Sequence, residues 1–446
     1  MRRHGLQERK AIIEEITHKI EFRQFDCLQN FEDQFPDDFL AVSYQIPLLP
    51  DGEIDVNEFA RSLEKLNEPL NELDKMVQSS FLTPTSYAKI AQRSILATIC
   101  HFSSSPELPI RCCAGTAEEF VRAEALLESD DKIVADSSVI ATLFALSIHE
   151  KIDSLPKRHI ISEGTLDLFR RVSQDPNLLF SKRRMGAFRG KMFVHEITDD
   201  QLEEQKESFQ NFYSWIEKNF ESRGGIGRAE LDSASRKELE LAFGEETAES
   251  VGLAIAEKAI LWTDDHAIAV TVGNKLLTNR VWTDVLFESY RRSNHLPDKA
   301  LAEIKLALID FGYTFTRLEF ETAKLGFQRS NWSCSARPLN RLIDWFHNSG
   351  ILGPGAVAHA ANMLEFAWRQ APLGHQPVEF TKAICRSIAK REDAETVLRA
   401  LVAVVGTKFG IDVVSKRECL KIIASQLELE LAQPKLILPD DPEWIA

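Results

Sequence analysis

In the stretch KAILWTDDHAIAVTVGNKLLTNRVWTD, Lys258 to Asp284, the apolar run Ala259-Ile-Leu-Trp262 has the composition of a buried strand. It ends in Thr263 and two adjacent carboxylates, Asp264 and Asp265. Two such groups at one strand end repel each other unless they are protonated or neutralised, and the usual neutraliser is a divalent cation. Other acids stand in comparable places. Asp136 follows the short apolar run Lys132–Ala135, Glu163 and Asp167 surround the helix start after His159-Ile-Ile161, and Glu249 lies in the helix that feeds the WTDD strand. Oxygen-only ligation of this kind favours Mg²⁺ or Mn²⁺ over zinc, which would want His or Cys. Each acid also has an ordinary competing role: an Asp after a strand caps the next helix, and Asp136-Ser-Ser before VIATLF suits that well.

What would bring these acids together is a parallel α/β sheet, whose strand carboxyl ends share one ligand-binding edge. From about residue 129 to 292 short β-rich runs alternate with helical patterns, which implies such a sheet. A charged insertion over about 176–240 reads as helical. Residues 1–128 and 293–446 show helical periodicity, as in NEFARSLEKLNEPLNELDKMV and LNRLIDWFHNSGIL. The chain of 446 residues therefore divides into a helical N-terminal region, an α/β domain and a helical C-terminal region.

The net charge of −15 excludes a protein that coats nucleic acid with its whole surface, because counterion release needs clustered cations. One local cluster exists. Lys182, Arg183, Arg184, Arg189 and Lys191, with Phe188 among them, could pair with phosphates and stack on a base, or could form an ordinary solvated loop. The seven scattered cysteines read as reduced, mostly buried thiols, no apolar run is long enough to span a membrane, and the first residues read as an amphipathic helix; together these predict a cytoplasmic protein. Two motifs are decoys. Asp51–Phe59 copies half of a calcium loop, but Pro47 and Leu49 stand where its first ligands belong. Arg223–Arg228 is glycine-rich, but it is read as following no strand and it lacks a P-loop Lys-Ser/Thr, so a hinge is the better reading.

The ordered series IVADSSVIATLFAL, IISEGTLDLF and GEETAESVGLAIAEKAILWTDDHAIA, closed by RVWTD, resembles the PIN-domain nucleases, in particular the PIN modules of large bacterial helical-repeat proteins. The resemblance implies a PIN-like parallel sheet with flanking helices, set between α-helical regions. Carried over by position, it makes Asp136, Asp167, Glu249 and Asp265 catalytic, and Asp136, Glu249, Asp264 and Asp265 the ligands of Mg²⁺ or Mn²⁺. Glu163 competes with Asp167 for the second place, Asp284 is either a fifth carboxylate or a helix cap, and His266 could assist a phosphate or lie in an exposed loop. The implied activity is phosphodiester hydrolysis leaving 5′-phosphate and 3′-hydroxyl ends, with RNA favoured over single-stranded DNA. A non-catalytic interaction protein on a PIN scaffold is the main rival, and a metal-dependent phosphatase is disfavoured by the motif order. The helical flanks, which contain Trp332, Trp345 and Trp368, are expected to hold a protein partner or a second copy of the chain.

Overall fold

The structure is a computed structural model that describes residues 58, 70–79, 82–105, 108–129, 132–174, 183–188, 191–224, 230–275, 279–348, 353–408, 410 and 413–432. The half calcium loop, apart from Glu58, and most of the N-terminal helical region lie outside these residues. Two compact units are distinguished, Met1–Leu66 with Met185–Val194, and Asn67–Arg184 with His195–Ala446.

The larger unit is built around a five-stranded sheet in the order β6-β3-β2-β7-β8, in which every pairing is parallel. Its strands are β2 (Lys132–Ala135), β3 (Arg158–Ser162), β6 (Phe220–Arg223), β7 (Ile260–Trp262) and β8 (Arg280–Val281). Successive side chains of a strand point to opposite faces, and both faces here are buried. Val134, Ile160 and Leu261 face one apolar core together with Val251, Leu253 and Ala254 of α8 (Glu245–Ala256) and with Ile268 and Val272. Ile133, Ala135, Ile161 and Trp262 face the other, with Val139 and Ile140 of α4 (Ser137–Ala145) and Leu286 and Phe287 of α10 (Thr283–Arg292). This is the α/β architecture that the strand and helix texture predicts.

The stretch 176–240, read from sequence as helical, is mixed. It holds α6 (Asp199–Asn219) and α7 (Ser233–Phe243), but also the two-stranded β4 (Arg183–Phe188) and β5 (Lys191–Glu196), and it supplies β6 to the main sheet. Phe220-Glu-Ser-Arg hides its strand character because an edge strand can stay polar on its open side. The glycine-rich run after Arg223, read from sequence as following no strand, begins where β6 ends; it still lacks the P-loop Lys-Ser/Thr.

Helices precede and follow this core. α1 (Pro84–Ile90), α2 (Ile95–Ser104) and α3 (Ala117–Ser129) come before it, and β1 (Ile110–Arg111) pairs in parallel with β9 (Tyr313–Thr314). α11 (Asp298–Asp310) has two working faces: Leu301, Ile304 and Leu308 pack into the α/β core, while Leu306 and Ile309 pack into a separate helical core. That second core belongs to the helices from α12 (Phe320–Arg329) to α17 (Val413–Ala432). Of the three tryptophans of this region, Trp345 is buried in that core and Trp332 and Trp368 pack against it. Trp345 donates its indole N–H to the Thr316 carbonyl, Trp368 to Thr381 Oγ1, and Trp332 stacks on Phe366. The six described cysteines are free thiols.

His159 gives the fold a pH dependence. On β3, its ring lies against Phe220 and Trp262, its Nδ1 faces the Lys157 carbonyl at 2.6 Å, and the Tyr290 hydroxyl meets Nε2 at 2.7 Å. Burial lowers its pKa from 6.5 to about 4. A depressed folded pKa means that the unfolded chain takes up the proton first, so this stabilisation is complete above pH 6.5 and is lost as pH falls toward 4. Relative to His159→Phe, the wild type is expected to lose on the order of 3 kcal/mol across that window. Parallel urea titrations of both proteins at pH 7.5 and 4.5 check this; equal losses in the two would refute it.

Candidate metal centre

The carboxyl ends of β3, β2 and β7 form one edge, and each strand runs straight into a helix. Asp136, directly after β2, caps α4: its Oδ1 accepts from Ser138 N at 2.7 Å, Val139 N at 3.2 Å and Ser138 Oγ at 2.6 Å. Asp265, two residues beyond Thr263 at the end of β7, treats α9 (His266–Lys275) in the same way, its Oδ1 accepting from Ala267 N at 2.9 Å and Ile268 N at 3.3 Å. Thr263 ties the two together. Its hydroxyl donates to Asp136 Oδ2 at 2.6 Å and its oxygen accepts the Asp265 N–H at 3.3 Å. Both carboxylates are 0% exposed. Burial raises the Asp136 pKa to about 6 against the hydrogen bonds from Ser138, Thr263 and Val139, and the charge of Asp265 adds to the rise.

The other acids divide between this edge and elsewhere. Glu249, buried on α8, accepts the Gly164 N–H at 3.0 Å, which sets it beside the end of β3. Gly164 is needed for that approach, since a Cβ there would stand 2.4 Å from Glu249 Oε2. Glu163 opens α5 (Glu163–Gln174) immediately after β3, at the edge. Asp167 is not brought there. It sits one turn later, about 6 Å further along a helix that leaves the edge, and pairs with Arg170 at 2.8 Å with its side chain 44% exposed.

Asp264 is buried but turned toward α10, accepting from Thr283 N at 2.8 Å and Thr283 Oγ1 at 2.5 Å. Burial raises its pKa to about 6. Asp284 likewise faces away from the edge, 4.0 Å from the buried Lys305 ammonium and 3.5 Å from Arg317. His266 is half-buried at the start of α9 and not in an exposed loop, its pKa lowered by burial.

The donor set suits a hard cation. It consists of oxygen atoms alone, and Asp136, whose ionised form burial disfavours, would be recharged by a divalent ion. Among the described residues no group of three or more His, Cys, Asp or Glu side chains is arranged to hold a metal. The fit is therefore to a site on Asp136 and Asp265, with Glu249 beside the end of the neighbouring β3, and not to the four-carboxylate set that includes Asp264. Ser138 and Thr263, which orient Asp136, were given no role by the sequence, although they stand in the motifs ADSS and WTDD. Thr85, whose N–H donates to Asp265 Oδ2 at 2.9 Å from 180 positions away, carried no signal in the sequence.

Residues 134–271 match a family model described as PIN domain associated with the TPR-GreAB-C-PIN system. The chain carries a PIN domain. The matched span begins in β2 and ends in α9, so it takes in every acid of the edge and leaves out Asp284. No curated protein and no solved structure matches the chain. PIN domains are generally nucleases. Of the basic cluster, Lys182 and Arg189 lie outside the described residues; Arg183, Arg184 and Phe188 are on β4 and Lys191 on β5, strands described by their backbone. Among the described residues no helix is long and apolar enough to cross a membrane.

Proposed function

We propose that the PIN domain is a metal-dependent nuclease that hydrolyses single-stranded or structured RNA. The observation that carries this reading is the pair Asp136 and Asp265, desolvated side by side on adjacent strand ends and bridged by Thr263. Asp136 and Asp265 would hold Mg²⁺ or Mn²⁺, and Glu249 would serve from α8, beside the end of the neighbouring β3. A bound divalent ion supplies a water of lowered pKa and offsets charge on the phosphate. The chain's own part is orientation: Ser138 and two backbone N–H groups fix one oxygen of Asp136, Thr263 fixes the other, and the arrangement needs no side-chain nucleophile. Lys182, Arg183, Arg184, Arg189 and Lys191, with Phe188, would guide the strand. The domain limits 1–128, 129–292 and 293–446, a cytoplasmic location, and a protein partner or second copy on the helical regions complete the proposal. The family's association with a TPR-GreAB-C system suits such a partner.

One observation favours a second reading. Asp136 and Asp265 both spend their oxygens on helix caps, as they would in a PIN scaffold retained for interaction alone. Incubating the full chain with end-labelled RNA and with single-stranded DNA in Mn²⁺ separates the two. The nuclease reading expects fragments with 5′-phosphate and 3′-hydroxyl ends that disappear on chelation. Intact substrates, together with no heat of Mn²⁺ binding, would leave the scaffold.

A further inference from the structure

An enzyme that cuts a polymer must present its catalytic carboxylates to the polymer, yet Asp136 and Asp265 are 0% exposed and Asp264 is 1% exposed. What closes over Asp265 is the start of α1. Leu82, Thr83 and Thr85 are buried, and the Thr85 N–H donates to Asp265 Oδ2. We propose that the turn Leu82–Thr85 is a removable cover, an autoinhibitory contact that occupies the acidic edge and lifts from Asp265 to admit substrate. This rests on the nuclease reading for its purpose, though not for its geometry.

Three features make this turn separable from the helix behind it. Thr85 is in the first turn, where a backbone N–H has no intrahelical acceptor, so breaking its bond to Asp265 breaks no bond of the helix. The Thr83 and Thr85 hydroxyls are buried without any hydrogen-bond partner, a cost that hydration on lifting would return. The rest of α1 is held independently. Tyr87 is fully buried, bonds Asp74 through its hydroxyl at 3.0 Å and packs edge-on against Phe102 of α2. The cover therefore has an anchored end and a poorly satisfied end, and the poorly satisfied one lies on the carboxylates.

The test is carboxylate accessibility in the full chain. Leu82→Asp places a charge in the buried apolar seat of the cover. Coupling of an amine by a water-soluble carbodiimide, read by mass spectrometry, should rise at least tenfold at Asp265 while staying low at Asp284, which is buried elsewhere and serves as the control. No rise at Asp265 overturns the proposal, whether or not the protein cleaves RNA. If Asp265 and Asp284 rise together the variant has unfolded, and hydrogen exchange of the wild type decides. The Thr85 amide must then exchange at least tenfold faster than the Ile140 amide, and equal rates overturn the cover. Cleavage separates the two readings: increased labelling with faster Mn²⁺-dependent cleavage supports both, and increased labelling without cleavage keeps the cover and sinks the nuclease.

Discussion

Asp136→Asn is expected to abolish Mn²⁺-dependent cleavage, by a factor of about 10³ or more, while leaving the protein at least as stable as the wild type at pH 7.5. The loss follows from removing one of two anions that would hold the cation, since several kcal/mol of charge stabilisation correspond to such a factor. The retained stability follows from geometry and sign. Asn keeps the oxygen that caps α4, and its amide can donate to Thr263 where the carboxylate accepted. A carboxyl whose folded pKa is raised to about 6 contributes most below pH 4, and that contribution is lost as pH rises through 6; Asn removes the penalty. Cleavage assays and urea melts on matched samples check both halves. A variant as active as the wild type would refute the catalytic role, and a large drop in stability would refute the account of the cap.

Lys305→Met is expected to cost about 3–5 kcal/mol, the range for removing one partner of a buried ion cluster. Lys305 on α11 is 0% exposed, lies 2.9 Å from Glu288 and 4.0 Å from Asp284, and also pairs with Glu319. Burial raises the pKa of Asp284, whereas at Glu288 hydrogen bonds from Arg291 and Lys305 outweigh burial and hold it at about 2. Without the ammonium, Asp284 and Glu288 remain buried with less compensation. Adding Asp284→Asn and Glu288→Gln should restore part of the loss, because it removes the stranded charges. A denaturation midpoint that moves by less than the equivalent of about 1 kcal/mol would show that the cluster is better solvated than its burial implies.

These two residues mark how far the sequence could be read. Asp136 was legible because a strand-ending Asp before Ser-Ser is local, and strand periodicity placed it on the shared edge. Asp265 was legible for the same reason. Asp264 and Asp167 were not, since proximity in sequence does not say toward which neighbour a side chain turns: Thr283 takes the first and Arg170 the second. Nothing in the residues around Lys305 marks it as buried. Its burial depends on α11 touching two cores at once, which no window of a single helix contains. β6 was invisible because three of its four residues are polar, and only pairing with β3 makes them a strand.

The order of the main sheet constrains how the chain is made. β2 lies at the centre, yet its partner β7 is 127 positions later, as Ile133 opposite Ile260 shows. At about 5–20 residues per second, a ribosome would need roughly 6–25 s to deliver β7 after β2 has emerged. During that interval one side of an apolar strand carries unpaired backbone donors and acceptors, a template for pairing with another chain. Synthesis of this protein therefore passes through an aggregation-prone stage in which the open side of β2 is covered only when the WTDD strand arrives, so the residues that build the acidic edge also close the centre of the nascent sheet.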